Sequence, residues 1–178
     1  MSGEYRGRGI VSPENFDIRP TTGRIKGSLF NIIRNGLYGK VFLDLFGGSG
    51  LMSLEAISRG YIVKTIEKDK NTYSVIKNNF KKLRISGDLI LGDCVKFLKS
   101  NDEKFDVIYI DPPWSDSDFK YSYKDIIELA LLNLKNDGII VLEQDKIKKL
   151  LHKDLESLSE KLIREKVYGR CLLSFYKN

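Results

Sequence analysis

Apolar residues along this chain recur at two alternating spacings, one suited to helices and one to buried strands. Between residues 22 and 35, Ile25, Leu29, Ile32 and Ile33 fall at i, i+4, i+7 and i+8, which predicts a helix closed by Asn35-Gly36. "KVFLDLF" (40–46) predicts a buried strand, followed by "GGSG" and a helix from Leu51 to Arg59. "YIVKTIEKD" (61–69) is a second strand, and Asp69 is placed to cap a helix with Tyr73, Ile76, Phe80 and Leu83 on one side. "LILGD" (89–93) is a third, short strand, 94–100 a short helix, and "FDVIYID" (105–111) a fourth strand. A helix over 123–134 presents Ile126, Ile127, Ala130, Leu131 and Leu134, before Asp137-Gly138 turns the chain into a fifth strand, "IIVLEQ" (139–144). Residues 146–159 read as helical. "KLIREKVY" and "CLLSFYKN", either side of Gly169-Arg170, predict an antiparallel hairpin.

Strands that alternate with helices imply an α/β fold: a parallel sheet whose crossovers lay helices on both faces. The terminal hairpin makes the sheet mixed, with five parallel-type strands and an antiparallel pair. Residues 1–20 are basic, punctuated by Gly and Pro and without helical periodicity, so an N-terminal arm precedes a single domain over 21–178.

Composition adds little to that picture but removes several chemistries. The chain is 42% hydrophobic and 30% charged. No apolar run approaches the roughly 20 residues of a membrane span. "MSGEYRGRGI" has no apolar h-region, so a cytoplasmic protein without membrane partners is expected. Cys94 and Cys171 fit no metal spacing and are expected to be reduced thiols. The single histidine, His152, stands in a lysine-rich segment, which disfavours zinc catalysis and a Ser-His-Asp triad; no metal is expected. Lys and Arg number 30 against 24 Asp and Glu, a net charge of +6. That balance suits a polyanionic partner through counterion release, and equally suits solvated lysine-rich helix faces.

Candidate chemistry begins with "LDLFGGSGLMSLEA" (43–56). Gly47, Gly48 and Gly50, with Ser49 between them, sit where a strand passes into a helix, so the backbone can turn tightly and expose its N–H groups to a ligand. Glu67 ends the next strand, where a carboxylate can accept hydrogen bonds from ribose hydroxyls, and Asp93 ends the third at the same rim. Their neighbours Lys68 and Cys94 complete the candidate cofactor set. The dinucleotide fingerprint is missed by Ser53 at its third glycine, and the Gly-Lys-Ser/Thr of a P-loop is absent. Asp44, three residues before the first glycine, disfavours a pyrophosphate and suits a cationic ligand end. Asp44-x-Phe46-x-Gly48-x-Gly50 has the form of the first motif of class I methyltransferases, whose donor, S-adenosylmethionine (SAM), carries an ammonium and a sulfonium and no phosphate. The loop by itself leaves SAM, a nicotinamide dinucleotide and a purely structural turn open.

The second motif is "FDVIYIDPPW" (105–114). A buried strand ends in Asp111, Pro112, Pro113 and the only tryptophan, Trp114. Prolines fix φ and have no N–H to donate, so carbonyls beside them point in set directions. The Asp111 carboxylate and the Pro112 carbonyl then make a pair of acceptors for one exocyclic –NH₂. Such an amine is delocalised into its ring and attacks poorly; two acceptors on its hydrogens favour a pyramidal nitrogen whose lone pair can be aimed at a methyl group. Trp114 offers a face for the target base, a contact worth roughly 1–3 kcal/mol. Pro-Pro could also merely end the strand. Its position after strand four, in a chain with the glycine loop after strand one, predicts that both motifs meet at one rim.

At this point the sequence resembles the bacterial 16S rRNA guanine-N2 methyltransferases of the RsmD type, over nearly its whole length. "EYRGRGI" is similar to that family's basic opening, "IRPTTGRIKGSLFNII" (18–33) to its Arg-Pro-Thr-x-x-Arg helix leader, and "LDLFGGSGLMSLEAISRG" and "YIDPPW" to its cofactor and catalytic motifs. The resemblance implies a Rossmann-like class I SAM-dependent fold with a seven-stranded sheet, acting on one guanine of 16S rRNA in an assembling small-subunit particle and leaving S-adenosylhomocysteine. By the same match Glu67 takes the ribose, Asp93 the adenine side, and Asp111 and Pro112 the target amine; a monomer is expected. Gly23, Lys26 and Gly27 depart from the acid, Arg and Glu usual there, and Trp114 replaces a Phe or Tyr. Arg24 and Lys26 fall in the first helical turn, where the macrodipole disfavours cations unless phosphates sit nearby. Arg6, Arg8, Arg19 and Arg24 are therefore expected on the RNA backbone, unless they are plain exposed residues. "SDSDFKYSY" (115–123) reads as a lid or a plain loop. The competing functions are amino-methylation of adenine or cytosine, a non-catalytic RNA-binding relative, and a nicotinamide-dependent oxidoreductase.

Overall fold

In the computed structural model, which describes residues 23–33, 39–113, 120–149 and 153–178, seven strands make a mixed sheet, with helices between them. The expected fold class therefore holds. The arm over 1–20 with Arg6, Arg8 and Arg19, the Asn35-Gly36 helix stop, Trp114, residues 115–119 and His152 lie outside the described residues. Among the described residues no helix is long and apolar enough to cross a membrane. The chain divides into two compact units, one up to Cys94 and one from Val95.

The first unit comprises α1 (Gly23–Ile32), β1 (Val41–Asp44), α2 (Leu51–Ile57), β2 (Ile62–Glu67), α3 (Lys70–Leu83) and β3 (Asp88–Leu91). Its strands are parallel and run β3-β2-β1. Asp44 pairs with Thr65 and Glu67 with Leu91, so the three strands finish at a common carboxyl rim. Asp69 caps α3 as its position suggests: the carboxylate accepts from the Thr72 N–H at 2.8 Å, a contact typically worth about 1 kcal/mol. That hydrogen bond also holds the Asp69 carboxyl below its ordinary range. Leu54 of α2 joins Ile76, Phe80 and Leu83 of α3 in one buried cluster. The Phe30 ring of α1 stacks on Phe42 of β1 at 5.9 Å, with the Arg59 guanidinium 4.6 Å over its centroid.

The second unit comprises most of α4 (Cys94–Ser100), then β4 (Phe105–Ile110), α5 (Tyr123–Leu132), β5 (Leu134–Asp145), α6 (Lys146–Lys149), a 3-10 helix (Lys153–Lys161), β6 (Leu162–Tyr168) and β7 (Cys171–Tyr176). Strand order is β4-β5-β7-β6; β4 and β5 are parallel, and the other neighbours antiparallel. The expected hairpin is present, and Gly169 supplies the positive φ (62°) that a tight primed turn needs.

Two local expectations are corrected. Strand five does not wait for Asp137-Gly138: it starts at Leu134, which pairs with Phe105, and the register then jumps so that Val107 meets Ile139. Turn chemistry at Asp137-Gly138 appears as an irregularity inside the strand rather than as its boundary. Residues 146–159 do not form one α-helix, but a four-residue α6 and, from Lys153, a 3-10 helix. Leu155 and Leu158 are both buried, and their i, i+3 spacing is the one a 3-10 helix aligns on a single face.

Candidate active site

The glycine loop lies at the carboxyl rim of the first unit. Gly47 N–H donates to the Ile66 carbonyl at 2.8 Å and Gly50 N–H to the Gly47 carbonyl at 2.7 Å, closing a tight turn before α2. Gly47 is glycine for want of room: a Cβ there would stand 2.8 Å from Ile76 Cδ1 and 3.0 Å from Thr65 Cγ2. Gly48 is different. Its φ is +52°, and among the described residues a Cβ would meet only the Phe46 carbonyl, at 3.8 Å, so no described side chain crowds this backbone. Glu67 reaches over it. One carboxylate oxygen accepts from the Gly48 N–H at 2.9 Å, the other from the Asp69 N–H at 2.8 Å. Burial pushes the Glu67 carboxyl above its usual range against the pull of N–H donors from Asp69, Gly48 and Lys68. The open glycine backbone beside a half-buried acid, with no lysine in the loop, fits a ligand that offers hydroxyl donors rather than phosphates.

Asp44 is fully buried beneath this loop. Ser53 Oγ donates to Asp44 Oδ2 at 2.6 Å and lies 2.7 Å from Thr65 Oγ1, while the Phe46 N–H is 3.4 Å from Asp44 Oδ1. Ser53, where the dinucleotide fingerprint would have glycine, thus braces the first strand to the second through a buried hydroxyl. Sequence reasoning saw only a missing glycine there. Its signal was a hydroxyl nine residues after an acid at the strand's end.

Desolvation pushes the Asp44 carboxyl up to about 7, against hydrogen bonds from Ser53 and Phe46 that pull it down; the charge of Glu67 raises it further. In the unfolded chain the ordinary value is 3.8. A raised carboxyl gives stability that is complete below the unfolded value and lost as pH climbs through the folded one. Urea unfolding without ligand should therefore show stability falling between about pH 4 and 7, by at most about 4 kcal/mol from this group. Asp44→Asn should remove that part of the slope; an unchanged slope would contradict the assignment.

Of the remaining candidates in this unit, Phe46, Ser49 and Asp93 are half-buried, Lys68 is exposed and Cys94 is buried. The Gly92 N–H donates to the Glu67 carbonyl at 2.9 Å, which sets the end of β3, just before Asp93, beside the end of β2. Arg24 is exposed at the start of α1. Lys26 is not directed outward with it: it is 7% exposed and faces Glu55, which pairs with Arg59 at 2.9 Å. Desolvation lowers the Lys26 ammonium and Glu55 partly restores it, so its place in the first turn is explained by a buried acid.

In the second unit Asp111 directly follows β4, half-buried; Pro112 is buried and Pro113 exposed. Tyr109, two residues earlier, donates its hydroxyl to Glu143 Oε2 at 2.6 Å, with Asp111 Oδ2 3.4 Å from the same hydroxyl. Neither Tyr109 nor Glu143 was selected from sequence, because their meeting depends on the pairing of β4 with β5.

Comparison with known proteins decides the family. The family model described as Conserved hypothetical protein 95 matches residues 1–177. Ribosomal RNA small subunit methyltransferase D of Buchnera aphidicola subsp. Baizongia pistaciae is 34% identical over 150 residues, covering 82% of this chain and 74% of that one. The protein of the same name from Haemophilus influenzae is 31% identical over 185 residues, covering 100% and 92%. The chain belongs to the RsmD family. Among solved structures, yhhF from Escherichia coli aligns with a TM-score of 0.81 at 26% identity, over 100% of this chain and 96% of that one. The fold is the Rossmann-like one of class I methyltransferases. Against the RsmD pattern, Gly23 and Gly27 have no packing reason to be glycine: a Cβ at either would meet nothing within 4 Å among the described residues.

Proposed function

We propose that this chain transfers a methyl group from SAM to the N2 amine of a guanine in 16S rRNA, within an assembling small-subunit particle in the cytoplasm, and acts as a monomer. The observation that carries the reading is Asp111-Pro112-Pro113 at the tip of β4, in a chain that belongs to the RsmD family.

In this reading Gly48, Ser49 and Gly50 present the loop backbone to SAM, Glu67 accepts from its ribose hydroxyls, and Asp93 and Cys94 flank the adenine side. Lys68 and Phe46 border the same site. Asp44 acts from below the loop, where a buried carboxylate favours the cationic end of the ligand. SAM, when bound, supplies a methyl group on a sulfonium. Asp111 and the Pro112 carbonyl accept the two amine hydrogens, and this positioning carries most of the rate. Once methylated, the nitrogen is cationic and gives its proton to Asp111 or to water. Pro113 and Trp114 border the base, Trp114 by stacking. Arg19 and Arg24 take backbone phosphates, a contact that should steepen the salt dependence of binding.

The test is tritiated methyl transfer to small-subunit particles from a strain lacking the enzyme, followed by nucleoside analysis. N2-methylguanosine is the expected product. N6-methyladenosine or a methylated cytosine would overturn the guanine assignment, and no transfer from SAM would overturn the activity.

A further inference from the structure

Four side chains of the second unit converge on one face of its sheet. Asp111 follows β4 two residues after Tyr109, so both project to the same side. Tyr109 pairs with Val141 of β5, which puts Glu143, two residues on, on that side as well. On β7, Leu173 pairs with Glu143 and Cys171 with Asp145, so Cys171 is one same-face step from Glu143. Tyr109, Glu143 and Cys171 are 2%, 5% and 7% exposed, which leaves Asp111 as the member nearest to solvent.

A carboxylate as buried as Glu143 needs donors. It receives the Tyr109 hydroxyl at 2.6 Å, a length typical of a charge-assisted bond, with the Cys171 thiol one same-face step away on β7. Burial, and then the charges of Glu143 and Asp111, keep that thiol protonated well above its ordinary range. A phenol has one hydrogen. The short bond commits it to Glu143 and leaves the phenolic oxygen 3.4 Å from Asp111 Oδ2. The side-chain torsion of an aspartate is broad and roughly two-fold, so its carboxylate turns easily unless something restrains it. Here one face of that carboxylate meets an oxygen anchored by a second, buried negative charge.

We propose that Tyr109 and Glu143 are positioning residues for Asp111: the phenol, held by Glu143, sets the direction in which the Asp111 carboxylate presents its acceptor to the target amine. This rests on the reading of Asp111 given under Proposed function. Neither residue need touch the substrate. Glu143 orients Tyr109, and Tyr109 limits Asp111.

The test separates orientation from folding and from cofactor binding. Tyr109→Phe keeps the ring and removes only the hydroxyl. Its kcat should fall about tenfold, with SAM affinity and the KM for RNA within about twofold of the parent. Glu143→Gln retains an oxygen that can accept from the phenol, so it should keep most of kcat, whereas Glu143→Leu should fall as far as Tyr109→Phe. The double variant Tyr109→Phe/Glu143→Leu should be no slower than either single one, because both remove the same support. A parental kcat in Tyr109→Phe, equal damage from Glu143→Gln and Glu143→Leu, or additive losses in the double variant would each overturn the proposal. Carbon NMR of ¹³C-labelled aspartate, with the Asp111 signal assigned by Asp111→Asn, gives a readout independent of turnover. Tyr109→Phe should move the Asp111 carboxyl titration, and an unmoved titration overturns the proposal even if the chain proves to methylate something else. Failure of the underlying reading looks different: Asp111→Ala would then transfer methyl groups undiminished, whatever the NMR shows.

Discussion

Asp111→Ala is expected to lower methyl transfer by about three orders of magnitude while SAM binds within about twofold of the parent affinity. The expectation follows from what the residue can do where it stands. Asp111 is half-buried, is followed by a proline that cannot donate, and comes directly after the last residue of β4. Removing its carboxylate deletes one of the two acceptors proposed for the amine and leaves the nitrogen lone pair delocalised into the ring. The hydrogen bonds that Glu67 accepts from the Gly48 and Asp69 N–H groups lie within the first unit, and the substitution removes neither donor nor acceptor. Single-turnover transfer, alongside calorimetric titration with SAM, gives both numbers. Equal loss of transfer and of cofactor binding would show that Asp111 supports the cofactor site and not the amine.

The opposite split is expected for Glu67→Ala, whose SAM affinity should drop by at least about a hundredfold. Hydrogen bonds to a charged acceptor contribute roughly 1.5–3 kcal/mol each, and two ribose hydroxyls on one carboxylate together account for a loss of that size. The variant also strips the Gly48 and Asp69 N–H groups of their acceptor, so the loop loses part of its own support. Glu67→Gln separates the two contributions. It keeps one oxygen acceptor and should recover about half of the lost binding free energy. An unchanged dissociation constant in Glu67→Ala would remove Glu67 from the cofactor site.

What could be read from the chain alone was whatever depends on near neighbours. Asp69 with Thr72 three residues on is a cap that needs no tertiary information, and α4 runs over Cys94–Ser100 as its short apolar pattern suggests. Glycines between a strand and a helix similarly announce a turn, and the structure separates their duties: Gly47 makes room, Gly48 opens the backbone. What escaped depends on alignment between strands. Asp137-Gly138 is a turn signal by local rules, and the pairing of Leu134 with Phe105 overrode it. The Ser53 hydroxyl has meaning only once Thr65 and Asp44 lie side by side. Tyr109 and Glu143 are 34 residues apart and meet because two parallel strands share a pleat. Lys26 shares the first helical turn with Arg24, but it is buried, and the charge of Glu55 on a neighbouring helix acts on it, which the sequence does not reveal.

The tight packing under the glycine loop reaches beyond the loop. Ile76, in the middle of α3, stands 2.8 Å from where a side chain on Gly47 would begin and 3.1 Å from the equivalent point on Gly50. In the proposed reading, one isoleucine is thus the floor on which the nucleoside end of the site is laid. A larger or differently branched residue there would tilt that floor and be felt as weaker grip on a molecule it never meets. Natural variation at Ile76 should therefore be confined by what the rim must hold as much as by what the interior must fill.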